Sequence, residues 1–374
     1  MYAVIMAGGR GTRFWPASRQ TNPKQLLNII GSETMLQITV DRMKKLKFVE
    51  DIFIITGEDL APKIKKKIKG IKSKNIIVEP SGKNTAPAIG LAALYINKIK
   101  KDAIMGVFPA DHLVVGAQKF AKTIRSCIQL ANKDNKLVTI GIKPTFASTA
   151  YGYIQYDMEN AKNHLNGFHV KTFAEKPHDK LAKRFIKSGD FLWNGGMFIW
   201  KVESLFNRFA LHMPELNNQL LKIEKKIKMK QDYDTIWKNI KPESIDYGIM
   251  EKSDDIYVVK AEFDWNDLGS WDSVYDVSPK AKNKNVIRGN GLVLDGKRNL
   301  IQSNNHFTAL MGISDLVVVH TEEATLVIPR DQVERIKELV DHLDKNKKKD
   351  LLYLKPKKFK KKRFLVSLQS SLIK

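Results

Sequence analysis

Five apolar runs of strand length punctuate the first 142 residues: YAVIM (2–6), DIFIIT (51–56), NIIVE (75–79), AIMGVF (103–108) and KLVTIGI (136–142). Runs this short and this rich in Val and Ile read as strands buried on both faces, as parallel sheets covered by helices require. Helical patterns fill the gaps. Thr34-x-x-Gln37 is a capping-box signal ahead of Leu36, Val40 and Met43 on one helical face. Thr85 stands before APAIGLAALYI as an expected N-cap, with Pro87 tolerable in a first turn. Phe120 to Ala131 supplies another helix and carries Cys127, the single cysteine, as a core thiol. The alternation predicts an α/β fold with a doubly wound, mostly parallel sheet.

A chain of 374 residues exceeds what one hydrophobic core usually serves. After residue 284 the texture changes to NVIRGN, GLVLDG, NLIQSN, FTALMG, DLVVVHT and ATLVIPR, short strands separated by Gly, Asn and Asp turns. This predicts a small β domain, β-helix-like or a sandwich, closed by the amphipathic DQVERIKELVDHL. The expected division is therefore 1–283, 284–345 and a lysine-rich tail, 346–374. Within 345–363 eleven Lys and Arg face Asp350 alone. The rest of the net charge of +24 is spread over faces such as PKIKKKIKGIKSK. Diffuse lysine reads as solvated surface, so no specific nucleic-acid partner is expected. The tail sets Phe359 and Phe364 among cations and is expected to be a frayed, solvated terminus without chemistry. No apolar run approaches the roughly 20 residues of a membrane span. MYAVIM lacks the charged start of a secretory leader. The expected location is cytoplasmic.

MAGGRGTRFWPASRQTNPKQLL (6–27) follows the first strand. A strand feeding a glycine-rich turn lets backbone N–H groups reach a phosphate. A Walker A loop would end in Gly-Lys-Ser/Thr, but Thr12-Arg13 follows Gly11. A dinucleotide fingerprint would need a third spaced glycine, and Phe14 stands there. What remains is a phosphate loop of Gly8, Gly9 and Gly11 with Arg10, Arg13 and, behind Pro23, Lys24. That set suits a triphosphate gripped while charge shifts.

GGRGTRFWPASRQTNPKQ resembles the signature of sugar-nucleotide pyrophosphorylases, and among them the mannose-1-phosphate guanylyltransferase (GDP-mannose pyrophosphorylase) family. Phe14-Trp15-Pro16, Ser18-Arg19 and Pro23-Lys24-Gln25 favour this branch over thymidylyl or uridylyl relatives. EPSGKNTAPAI (79–89), FPADH (108–112), YGYIQ (151–155), FAEKP (173–177), WNGGMFIW (193–200), SIDYGIMEKS (244–253) and DWNDLGSW (264–271) resemble family blocks in the expected order over roughly 1–345. Lys83 stands where an arginine is common, keeping the charge without the bidentate fork. Long bacterial relatives carry a phosphomannose-isomerase cupin, and this chain resembles the short form.

The resemblance implies GDP-mannose and pyrophosphate from GTP and α-D-mannose 1-phosphate, by in-line attack of the sugar phosphate on the α-phosphorus. That nucleophile is already an anion and needs no general base. In keeping with this, no Ser-His-Asp order or H-E-x-x-H spacing stands out among the eight histidines. By resemblance Arg13 holds the departing phosphates, with the Gly8–Gly11 amides and Thr12 around them, and Lys24 reaches the reacting centre. Asp111 and Asp267 are expected to clamp one Mg²⁺. Base contacts map to Gly8, Gly82, Asn84 and Thr85. Sugar contacts map to Gly152, Glu175, Lys176, Asn194 and Asp246. A homodimer is left open. Rival readings are a sister enzyme using another nucleotide or sugar, a catalytically idle homologue, and a nucleic-acid binder supported only by net charge.

Overall fold

The computed structural model describes residues 1–9, 11–162 and 165–353. Arg10 and the tail from 354 onward, including Phe359 and Phe364, lie outside the described residues. Eleven strands build the larger part: β1 (Tyr2–Met6), β2 (Asp51–Gly57), β3 (Ile76–Glu79), β4 (Ile104–Pro109), β5 (Leu113–Val115), β6 (Leu137–Ile142), β7 (Tyr153–Lys162), β8 (Gly167–Ala174), β9 (Phe191–Lys201), β10 (Ile256–Lys260) and β11 (Asp264–Asn266). Nine form one sheet in the order β3-β2-β1-β4-β9-β6-β10-β8-β7, while β5 and β11 pair separately. β3, β2, β1 and β4 run parallel, each buried almost throughout, as their unbroken apolar runs demand.

The far half is different. β9 enters antiparallel between β4 and β6, and β7 and β8 are antiparallel to each other. The α/β architecture is the expected one, with a mixed sheet. Only 196–201 of β9 reads as strand in the sequence, because Gly195-Gly196 interrupts the apolar pattern of its eleven residues.

Apolar clusters cover both faces. One packs the helix Thr85–Ile99 and the helices Val202–His212 and Pro214–Lys228 onto the sheet. The other uses the helices Met35–Lys44 and Ala117–Asp134, with Cys127 fully buried and its thiol pushed up by that burial.

Beyond residue 285, β12 (Val286–Leu294), β13 (Leu300–Met311) and β14 (Leu316–His320) stack in parallel, and β15 (Thr325–Pro329) returns antiparallel. Pairs of short strands expected from the sequence fuse into β12 and β13, with an irregularity between Gly289 and Gly291. Buried Asn299 stitches successive turns: its Nδ2 donates to Ile313 O, and its Oδ1 accepts from Leu316 N. This unit does not hang free. Phe14, Trp15, Met35 and Trp271 share one core with Val286, Leu300, Val317, Ile336 and Leu352.

The tail needs a correction at its near end. The short helix Lys349–Leu352 is docked, not frayed. Trp15 Nε1 donates to Leu351 O at 3.1 Å, Gln20 N donates to Leu352 O at 2.9 Å, and the Leu352 side chain is buried. Two leucines beside Asp350 are a small apolar signal that the surrounding lysines mask in a compositional reading.

Candidate active site

The strand order reverses between β1 and β4, and open α/β sheets bind ligands outside the carboxyl ends of the strands at such a point. Met6 pairs with Pro109, so the loop after β1 and the turn after β4 emerge side by side. Gln25 Nε2 donates to Ala7 O at 2.9 Å and lies 3.2 and 3.4 Å from Gly8 O and Gly9 O. Three successive carbonyls thus face Gln25. A trans peptide carries its N–H opposite its C=O, so the Gly8 and Gly9 amides face away from Gln25, and both glycines line the neighbouring cleft. Gly11 sits at φ +57, and a Cβ there would lie 2.6 Å from Lys24 N. Only glycine lets the loop close onto Lys24. Thr12 opens the short helix that carries Arg13, whose half-exposed guanidinium lies 3.8 Å from Glu334 of the C-terminal unit.

Lys24 is the hub. Its buried ammonium donates to Asp111 Oδ2 at 2.9 Å and to the backbone O of Asp267 at 2.6 Å. Burial pushes the Asp111 carboxyl up, but Lys24 and its other neighbours more than offset this, leaving it below the usual range. The turn carrying Asp111 is braced from behind: Thr39 Oγ1 donates to Ala110 O, and the Arg42 guanidinium to His112 O. Burial lowers His112 to about 4, so its ring is neutral, and Nδ1 accepts from Trp265 Nε1. Asp267 Oδ1 accepts from the Tyr151 hydroxyl at 2.7 Å and from Gly269 N at 3.2 Å. Burial and then Asp267 raise the Tyr151 phenol, which keeps it a donor.

The next residue along, Gly152, leads into a polar group. A Cβ on Gly152 would come within 2.3 Å of Glu175 Oε2 and 3.3 Å of Asn194 Cβ. Asn194 N donates to Gly152 O, its Nδ2 donates to Asp246 Oδ1 at 2.8 Å, and its Oδ1 accepts from Gly196 N. Burial and then Glu175 raise the Asp246 carboxyl to about 6. Lys176 pairs with Glu175 at 2.6 Å. Glu175 and Asp246 are acceptors when ionised, the chemistry that vicinal hydroxyls require.

On the other side of the loop a cleft of about 720 Å³ is lined by Gly8, Gly9, Glu79, Gly82, Asn84 and Thr85. Here the expected cap moves by one residue. Asn84, at φ +68, accepts from Thr85 N, whereas Thr85 Oγ1 accepts from Ile245 N at 2.8 Å. The Thr85 hydroxyl therefore binds the segment that leads to Asp246. Lys83 is also engaged, donating to Lys238 O.

The nucleotidyl transferase family profile matches residues 2–284, and that of the mannose-phosphate isomerase/GMP-like β-helix domain matches 289–343. A mannose-1-phosphate guanylyltransferase from Escherichia coli is 38% identical over 357 residues, covering 93% of this chain and 76% of that protein. One from Salmonella typhimurium is 37% identical over 354 residues, covering 92% and 72%. The chain belongs to the mannose-1-phosphate guanylyltransferase family. A crystal structure described as a mannose-1-phosphate geranyltransferase from Thermus thermophilus superposes with a TM-score of 0.83 at 28% identity, covering 92% of this chain and 99% of that one.

In this guanylyltransferase-family chain the fold brings Lys24, Asp111 and Asp267 together, sets Gly152, Glu175, Asn194 and Asp246 in a second group, and lines one cleft with Gly8, Gly9, Gly82, Asn84 and Thr85. Sequence reasoning gave no role to Tyr151, His112, Gln25 or Glu79. Each lies inside or beside a quoted block, and that adjacency was the available signal. What was missing was direction, since only the folded chain turns the Tyr151 hydroxyl toward Asp267. Among the described residues no helix is long and apolar enough to cross a membrane.

Proposed function

We propose that this chain transfers a guanylyl group from GTP to α-D-mannose 1-phosphate. One observation carries the reading: Lys24 stands between two groups of polar residues at the edge of the sheet. On one side its neighbour Gln25 holds the Gly8 and Gly9 carbonyls beside the cleft, and on the other Asp267 accepts from Tyr151, next to Gly152, which Asn194 and through it Asp246 engage. A nucleotide laid along the first group and a sugar phosphate along the second would meet at Lys24. There the sugar phosphate oxygen attacks the α-phosphorus, the bond to the bridging oxygen breaks, and pyrophosphate leaves. Catalysis then consists of orienting two anions and neutralising them. Lys24 places a fixed, buried cation at the centre. Arg13, whose strongest ion pair among the described residues is an exposed contact at 3.8 Å, can turn to the departing phosphates.

The donor set fits Mg²⁺. The Asp111 carboxylate and the Asp267 backbone carbonyl meet on one ammonium, which keeps the Asp267 side chain near the same centre, and Asp267 Oδ2 has no hydrogen-bond donor among the described residues. Magnesium is commonly held by one or two carboxylates plus water and substrate oxygens. Bound there by Asp111 and Asp267, it would supply charge neutralisation for the phosphates. Pyrophosphate release across four nucleoside triphosphates and several sugar 1-phosphates tests the reading. GTP with mannose 1-phosphate should give the highest kcat/KM, and a preference for UTP or dTTP overturns it.

A further inference from the structure

Arg19 is only 3% exposed, yet its guanidinium is poorly supplied with acceptors. Nη1 donates to Ser18 O at 3.0 Å, but among the described residues neither Nε nor Nη2 has a hydrogen-bond partner. The buried Ser18 hydroxyl has none either. A guanidinium keeps its charge when buried, and a buried charge without a close partner is costly. The carboxylate within ion-pair range is that of Glu323, whose Oε2 lies 3.9 Å from Nη2. That is about 1 Å beyond a charge-assisted hydrogen bond, and the half-exposed Glu323 side chain has room to turn. Burial lowers the Arg19 guanidinium, and Glu323 opposes that shift. Glu323 belongs to the C-terminal unit. It stands in the tight turn between β14 and β15, which Thr321 N closes by donating to Ala324 O at 2.9 Å. The guanidinium also lies over the Trp15 ring, 5.7 Å from its centre, and Trp15 is itself bonded to Leu351 O.

What Arg19 anchors is the approach to Lys24. Arg19 N donates to Asn22 O at 3.1 Å and Asn22 N to Arg19 O at 2.9 Å, a closed turn that hands the chain on to Pro23 and Lys24. Lys24 in turn holds Asp111 and the Asp267 carbonyl. We propose that Arg19 is a positioning residue for the transfer reaction: its guanidinium closes as a fork on Glu323 and so fastens to the C-terminal unit the turn that delivers Lys24. This rests on the assignment of Lys24 to the reacting centre of a nucleotidyl transfer. Buried as it is, Arg19 acts through Lys24. Misplacing a group at a reacting centre by about 1 Å can cost about 10²-fold in rate, so a fastening this close to Lys24 bears on turnover as well as on stability.

The test compares Glu323→Ala, Arg19→Met and the double variant in the full chain, by steady-state kinetics, melting curves and amide hydrogen exchange. Glu323→Ala removes the acceptor from an exposed turn. We expect its kcat to fall about 10-fold with KM for both substrates within about twofold, the pattern of a group that acts in the transition state. Exchange at residues 19–24 should quicken while that of β1 and β4 stays as in the wild type. Arg19→Met should lose at least as much kcat, and the double variant should match it, because the two side chains act as one unit. A folded Glu323→Ala with wild-type kcat overturns the proposal, whatever its melting temperature. So does a double variant whose loss in kcat is the product of the two single losses. Should Arg19→Met not fold, Glu323→Ala decides alone. The wild-type panel of nucleotides and sugar phosphates settles the substrate assignment separately, and the variants are compared on whichever pair it favours.

Discussion

The two ends of the site are built on opposite plans. The proposed nucleotide end leans on backbone: glycines of one loop, the ends of β1 and β3 and a helix start frame the cleft, with Gln20–Thr21, Gly57–Leu60 and Tyr353 completing its lining. The proposed sugar end is mostly side chains, with Gly152, Glu175, Asn194 and Asp246 arriving from four separate segments. A backbone site is punctuated by glycine because only glycine tolerates the geometry, and so it can be read in a sequence. A side-chain site uses ordinary Glu, Asn and Asp, whose meaning depends on what the fold sets beside them. Lys24, Asp111 and Asp267 form the joint between the two.

That joint should give the largest effects. Asp267→Asn keeps the shape but removes a negative ligand, and kcat should fall by about 10²-fold or more, with Mg²⁺ needed at higher concentration. Asp111→Asn should behave alike, and the double variant should be little worse than the worse single one, because the pair acts as one site. Magnesium titrations beside melting curves check this. Two separate structural aspartates would instead give additive stability losses with the metal dependence unchanged.

The nucleotide end is sharpened by Gly11→Ala. The methyl would meet the Lys24 backbone at φ +57, where an L-residue is already strained, so the loop must shift and carry Lys24 with it. We expect kcat/KM to fall at least about 10-fold for every base tested. An effect confined to GTP would mean that the loop reads the base rather than the phosphates.

The sugar end has a signature of its own in pH. The folded Asp246 carboxyl, at about 6, lies above its ordinary 3.8, because burial and Glu175 both disfavour its charge. The folded state therefore holds a proton that the unfolded chain releases earlier. The associated stability is complete below about pH 4 and is lost as pH rises through 6. Asp246→Asn should be more stable than the wild type by about 1–3 kcal/mol at pH 8 and equal to it at pH 4. Over the same substitution KM for mannose 1-phosphate should rise about 10-fold with KM for GTP unchanged. A matching rise for GTP would break the division into two ends.

How much of this was legible follows the same line. The four parallel strands were visible as buried Val and Ile runs, and the glycine loop as punctuation. β9 was half hidden, since Gly195 and Gly196 break its pattern, and nothing local says that it runs antiparallel. The helix cap shifted from Thr85 to Asn84 because both residue types cap well, and a single positive φ decides between them. That shift freed Thr85 to bind Ile245, tying the base-side loop to the segment bearing Asp246. Glu79 and Tyr151 stayed silent for the reason that the sugar end did: an isolated Glu or Tyr has no spacing to give it away.

The docking of Leu351 and Leu352 beside Trp15 and Gln20 also has a consequence in time. Trp15 and its carbonyl partner are 336 positions apart. At roughly 5–20 residues per second, synthesis separates them by on the order of 20–70 s. Over that interval the partners that bury Phe14 and Trp15 arrive in turn, Met35 early, then Trp271 and the C-terminal strands, and Leu352 last. The loop after β1 is thus completed by residues made much later, and a chain cut short of residue 350 lacks this support for it.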